Sequence, residues 1–207
     1  MFASATLPRE EIPLPSAPTV DGAGRGDGRV ETEINAFLKT VEGRAFRIAQ
    51  LSLRNVDDAL EAVQDAMLQL VSHYGLRPAT DWTPLFYRIL RNRIRDAQRR
   101  RRTRNRLIPW WIGGVAEEEG AIDPIENAVS GDPGPQAMLA QRQAMEALVV
   151  AVRRLPVRQR EVFLLRTLEE LDVATTARVM GCSQGSVKTH YFRALTQLRK
   201  VIGDHEP

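Results

Sequence analysis

The run ATTARVMGCSQGSVKTHYFRALTQLRK, from Ala174 to Lys200, leaves the chain few choices of local fold. Ala177, Gly181 and Val187 fall at the three offsets of a helix-turn-helix. A small residue lets two helices touch, a glycine turns the chain where positive φ is needed, and an apolar residue faces back from the second helix. Met180 and Cys182 flank the turn and complete an apolar seam. The second helix then offers Ser186, Lys188, Thr189, His190 and Arg193 outward, with Arg178 on the helix before it. These are donors suited to phosphates and base edges. No Asp or Glu occurs from Val173 through Gly203. A surface helix normally mixes charge signs, so an acid-free stretch of this length points to a polyanion beside it.

Upstream, helical periodicity is continuous. Ile34, Phe37, Leu38, Val41, Ala45, Ile48 and Ala49 recur at the steps of one helix face. Asn55 is placed to cap a second helix, with Asp57 and Asp58 at its positive dipole end. Its apolar stripe runs through Val56, Ala59, Leu60, Val63, Met67, Leu70, Val71 and Tyr74. Asp57, Asp58, Glu61, Gln64 and Asp65 are polar, and Leu68 is the odd apolar member among them, placed as the centre of a protein contact. Gly75–Asp81 reads as a loop, and Thr83-Pro84 as a cap followed by proline at the first helical position. Leu85, Phe86, Ile89, Leu90, Ile94 and Ala97 then line the buried face of a third helix.

The other faces of that helix are arginine. Ten arginines lie between Arg88 and Arg106 against one acid, Asp96. Arg91, Arg95 and Arg99 stand above one another at i, i+4, where like charges repel by about 0.2–0.5 kcal/mol per pair. A polyanion relieves that repulsion. The competing explanation is a solvated basic face or a targeting tract.

From Leu107 to Gln136 the composition reverses: six acids, from Glu117 to Asp132, and no Lys or Arg. Gly113-Gly114 and Asp132-Pro133-Gly134-Pro135 break regular structure, so 107–137 reads as a flexible acidic linker. Residues 1–30, rich in proline and glycine, read as a disordered leader. The chain is thus expected to be all-α: two small helical domains, 31–106 and 138–207, the second ending in the helix-turn-helix. No apolar run approaches the length of a membrane span. The first residues do not form a secretory signal, and the single cysteine, Cys182, excludes a disulfide framework. These absences point to the cytoplasm.

The order of an acidic-faced helix, an aromatic-rich basic helix, an acidic linker and a helix-turn-helix resembles the sigma-70 family, in particular its small extracytoplasmic-function group. The segment from Asp58 to Asp65 is similar to that family's core-polymerase-binding segment, and the one from Leu85 to Asn92 to its promoter-melting helix. Leu155-Pro156 with Gln159 to Phe163 resembles the start of its C-terminal domain, and Gly181 to Lys188 the approach to its recognition helix. The likeness covers about residues 32–106 and 138–203. It implies a transcription initiation factor whose partners are core RNA polymerase and promoter DNA, both duplex and melted, with an anti-sigma factor as a further candidate.

By that resemblance Asp58, Glu61, Gln64, Asp65 and Leu68 bind polymerase. Trp82, Tyr87, Arg88, Arg91, Asn92, Arg95 and Arg99 serve the −10 element and melting, with Trp82 open to either base capture or packing and Phe86 assigned by its period to the core. Arg178, Ser186, Lys188, Thr189, His190 and Arg193 serve the upstream (−35) element. The family often has acids just before the first helix of the helix-turn-helix, where Ala174 and Thr175 stand here, and Tyr191 and Phe192 are bulky for a recognition helix.

Two other classes compete. A helix-turn-helix regulator that is not a polymerase subunit explains the C-terminus but not the aromatic and arginine-rich helix. A nucleic-acid enzyme lacks support: His73, His190 and His205 form no metal spacing, and no phosphate loop or nucleophile motif is present. Neither a cofactor nor a metal is expected.

Overall fold

The computed structural model describes residues 27–107 and 135–203. Most of the expected leader and of the expected linker, with Trp110 and Trp111, lie outside the described residues, while 27–30 and 135–137, read as leader and linker, are helical because the first and fourth helices extend over them. Among the described residues every regular element is a helix: α1 (Asp27–Leu53), α2 (Val56–Tyr74), α3 (Ala79–Leu107), α4 (Pro135–Arg154), α5 (Val157–Thr167), α6 (Val173–Met180) and α7 (Gln184–Gly203).

The first three helices form the N-terminal unit. α1 buries Ile34, Val41, Ala45, Ile48 and Ala49, the stripe read from its periodicity. Arg54 then takes a left-handed φ of 59°, which turns the chain at once into α2. Asn55 is the cap of α2, its side chain accepting from the Asp58 N–H at 2.8 Å. That bond satisfies one of the helix's orphan donors, so Asn55→Ala is expected to lower stability by about 1 kcal/mol. Urea unfolding followed by circular dichroism measures this, and an unchanged midpoint would show that the cap contributes nothing.

α2 buries Ala59, Ala62, Val63, Ala66 and Leu70. Leu60 and Val71, read as members of the same stripe, are instead exposed. They sit at the margins of the apolar face, and the packing of α1 and α3 covers only its centre. α3 begins at Ala79, earlier than the Thr83-Pro84 start expected, so Pro84 lies inside the helix. The early start is set by tertiary packing: Trp82 in the first turn is buried, its ring 5.7 Å from that of Phe37. Phe86 lies at the centre of the unit, edge-on to Phe37 at 6.1 Å and to Tyr87 at 5.1 Å.

In the C-terminal unit, Val152 and Leu155 pack with Val162, Leu164 and Leu165 of α5, with Ala177, Val179 and Met180 of α6, and with Val187, Ala194 and Leu198 of α7. Met138, expected on the packed face of α4, is exposed near that helix's start. The two units are not separate bodies. α3 packs against α6, and α1 meets α4.

Candidate nucleic-acid interface

The helix-turn-helix is built by local chemistry. Asp172 caps α6, accepting from the Thr175 N–H at 2.7 Å and the Thr175 hydroxyl at 2.9 Å. The Thr175 N–H above all holds the Asp172 carboxyl below its usual range. A depressed folded pKa means the cap contributes above the group's ordinary pKa and is lost as pH falls through the depressed value. An acid therefore does stand immediately before this helix. It lies two residues upstream of Ala174. Gly181 ends α6 at φ 61°, ψ 48°, in the left-handed region, and the Cys182 N–H closes the turn on the Ala177 carbonyl at 3.1 Å. Ser183 then opens α7, its hydroxyl accepting from the Ser186 N–H at 3.1 Å. Ala177, Met180 and Val187 are buried in the seam between the helices, and Cys182 is half-buried.

On the outer face of this motif Arg178, Lys188, Thr189 and Arg193 are exposed. Ser186 and His190 are half-buried. The Ser186 hydroxyl is engaged with that of Ser183 at 2.9 Å, so it is less free than the others. Phe192 is exposed on the same helix. Neither α6 nor α7 carries an acid, although Asp172, exposed at the cap of α6, lies within electrostatic reach of Arg178.

The arginine helix is arranged differently from a plain solvated face. Arg88, Asn92 and Arg99 are exposed. Arg91 and Arg95 are drawn toward the C-terminal unit, where Arg91 Nε lies 3.2 Å and Arg95 Nε 3.6 Å from the two carboxylate oxygens of Glu161 on α5. The Arg91 side chain is only 11% exposed. Burial lowers its pKa, and the Glu161 charge offsets that in part. Trp82 and Tyr87 are core residues, so in this arrangement neither offers an open face for a base. Their helical positions, one turn before and beside Phe86, turn them inward. The Tyr87 hydroxyl sits near Glu169, and burial first, then that carboxylate, raises its pKa far above the ordinary phenol range.

The acidic face of α2 is also partly engaged within the chain. Asp65 lies 3.5 Å from Arg93, and Glu61 lies 3.6 Å from Arg100, both on α3. Asp58 is half-buried beside its cap, while Gln64 is exposed. Leu68 is 68% exposed, with Leu60, Val71 and Leu76 exposed along the same helix and its end. α2 thus presents an exposed apolar strip with acids beside it.

Glu161 and Glu169 are acids to which the sequence assigned no role of their own. Glu161 takes Arg91, Arg95 and Arg158 together. The Glu169 side chain is 2% exposed and lies 3.5 Å from Arg44 Nε of α1. Glu169 stands shortly before the acid-free stretch and Glu161 within the Gln159 to Phe163 segment, but neither position shows which arginine it meets. Among the described residues no group of His, Cys, Asp and Glu could hold a metal ion, and no helix is long and apolar enough to cross a membrane.

The family model for sigma-70 region 4 matches residues 145–198. The chain is 30% identical over 160 residues to the ECF RNA polymerase sigma factor SigM of Mycobacterium tuberculosis, an alignment covering 76% of this chain and 70% of SigM. It is 41% identical over 70 residues to the ECF RNA polymerase sigma factor BldN of Streptomyces coelicolor, covering 34% of this chain but only 26% of BldN. Among solved structures, the sigma factor RpoE in complex with the anti-sigma factor NepR, from Bartonella quintana, superposes with a TM-score of 0.57 at 22% identity. That superposition covers 84% of this chain and 97% of RpoE, and it shows a shared fold.

Proposed function

The chain belongs to the extracytoplasmic-function (ECF) group of sigma-70 RNA polymerase sigma factors, transcription initiation factors that bind core polymerase and promoter DNA, and from that premise we propose how its own surfaces divide the work. α7 enters the major groove of the upstream promoter element, with Lys188, Thr189 and Arg193 at base edges and Arg178 on α6 at a phosphate. Ser186 and His190, half-buried, lie at the edge of that contact. The single observation that carries this reading is the helix-turn-helix itself, closed by a left-handed Gly181 and presenting an acid-free, donor-rich face.

The open apolar strip of α2, around Leu68 and rimmed by Glu61, Gln64 and Asp65, docks on core polymerase. The arginine side of α3 faces the −10 element, where a basic groove holds an unpaired strand. Arg88, Asn92 and Arg99 are among its exposed members. The protein acts as a polymerase subunit in the cytoplasm and performs no catalysis itself. An anti-sigma factor is a further partner, supported by the complex in which the similar RpoE was solved.

The test is transcription by the reconstituted holoenzyme over a library of randomised upstream elements. Phosphate contacts position a protein without reading sequence, whereas a good base-edge contact discriminates by roughly 1–3 kcal/mol. Arg178→Ala is expected to weaken all promoters about equally. Lys188→Ala and Arg193→Ala are expected to change the order of preference. The docking orientation is wrong if Arg178→Ala alone reorders the library. Failure of the wild-type chain to co-purify with core polymerase would instead favour a regulator that works outside it.

A further inference from the structure

Tyr191 and Phe192 are both bulky for a recognition helix, yet they lie in different surroundings. Phe192 is exposed, whereas Tyr191 is half-buried against the core, one turn beyond Val187. The guanidinium of Arg166, in the last turn of α5, lies over the Tyr191 ring, 5.7 Å from its centroid. The same guanidinium donates to the carbonyl of Leu171, the residue before the Asp172 cap of α6. The Leu171 N–H donates in turn to the Leu165 carbonyl at 3.2 Å, which closes the loop between α5 and α6. Within that loop Glu170 takes a left-handed φ of 52°, a conformation that a non-glycine residue keeps only where its surroundings hold it. One side chain therefore touches both the entry to the helix-turn-helix and the second turn of α7.

We propose that Arg166 and Tyr191 are positioning residues for promoter reading: the cation seated on the ring sets the rotation at which α7 is presented relative to α6. The proposal rests on the reading of α7 as the helix that meets base edges. Burial of Val187, Ala194 and Leu198 holds α7 to its unit. That force is non-directional, so it fixes the place of the helix better than its rotation. A guanidinium over an aromatic face has a preferred position, and its second bond ties that position to the cap of α6. Hydrogen bonds to base edges weaken steeply with misalignment, whereas the attraction between a cation and a phosphate depends mainly on distance. A small rotation of α7 thus costs Lys188, Thr189 and Arg193 their discrimination before it costs the promoter its phosphate contacts.

The experiment is transcription by the reconstituted holoenzyme from a preferred upstream element and from one with a single base pair substituted, read as the ratio of the two. Tyr191→Leu keeps an apolar side chain and removes the aromatic face. Arg166→Met keeps a chain of similar length and removes the cation. Each is expected to lower the ratio about fivefold, as for the loss of a partly buried cation–aromatic contact. The double variant is expected to lose no more than either single one, because both remove the same contact. Tyr191→Phe keeps the aromatic face and is expected to keep the ratio. A merely structural defect lowers output from both promoters alike and leaves the ratio unchanged. Binding of the holoenzyme to promoter duplex is also followed over a salt series. The slope is expected to be the same in Arg166→Met, because a positioning residue neutralises no phosphate, whereas a direct phosphate contact contributes about 0.9 to it.

The proposal is overturned if a folded Tyr191→Leu or Arg166→Met keeps the ratio, if their losses add in the double variant, or if Tyr191→Phe loses the ratio as well. It is overturned equally if Arg166→Met lowers the salt slope by about one, the mark of a direct phosphate contact. Circular dichroism checks that each variant folds, and either one carries the test alone should the other unfold. The reading of α7 fails by a separate sign: Lys188→Ala and Arg193→Ala would then leave the ratio unchanged too.

Discussion

Phe86→Ala is expected to cost the N-terminal unit about 3–5 kcal/mol, the range for removing a large aromatic from a packed core. Phe86 is fully buried and lies against the rings of Phe37 and Tyr87, joining α1 to α3. Alanine leaves a void that the surrounding helices close only in part. Small domains have roughly 5–15 kcal/mol of stability in all, so a loss of this size takes much of the unit's margin. Urea unfolding followed by circular dichroism reads it directly. A loss below about 1 kcal/mol would mean that α1 and α3 do not share this core. Because α3 also carries the arginine face, promoter opening is expected to fall with the fold.

The opposite pattern is expected at Leu68, 18 residues earlier in the chain and 68% exposed. Leu68→Asp removes no core contact, so the unfolding midpoint is expected to move little. Affinity for core polymerase is expected to fall by roughly 1–2 kcal/mol, about five- to thirtyfold, as for an apolar side chain at the centre of an interface. Leu68 is a cleaner probe than Glu61 or Asp65. Those acids lie within ion-pair distance of Arg100 and Arg93, so reversing their charge also places like charges beside α3. Competition binding with labelled core enzyme is the measurement. Full affinity in Leu68→Asp, with normal helicity, would move the polymerase contact away from the α2 strip.

These two residues also mark how far the sequence could be read. Phe86 was legible as core because its neighbours recur at helical spacing, and Leu68 as surface because it breaks that spacing among acids. The seam of the helix-turn-helix was legible for the same reason: Ala177, Gly181 and Val187 answer to local geometry, and Gly181 does adopt the left-handed conformation. Where the reading went astray, packing between elements had decided the outcome. α3 starts early because Trp82 finds Phe37, and Leu60 and Val71 are left uncovered because α1 and α3 pack over the centre of the stripe.

The sequence by itself determined the helices, the turn and the segregation of arginine from acid, because propensity, capping and periodicity act over a few residues. Only the tertiary structure decided what the arginines face. Arg91 and Glu161 lie 70 positions apart, and nothing in the local pattern of either tells which of the many opposite charges it will meet. Charge attraction is long-ranged and non-directional, so its partners follow from how the helices pack. The apolar seams carry their own address in their spacing. That is why the arginine-rich α3 is found with two of its arginines already holding an acid of the same chain.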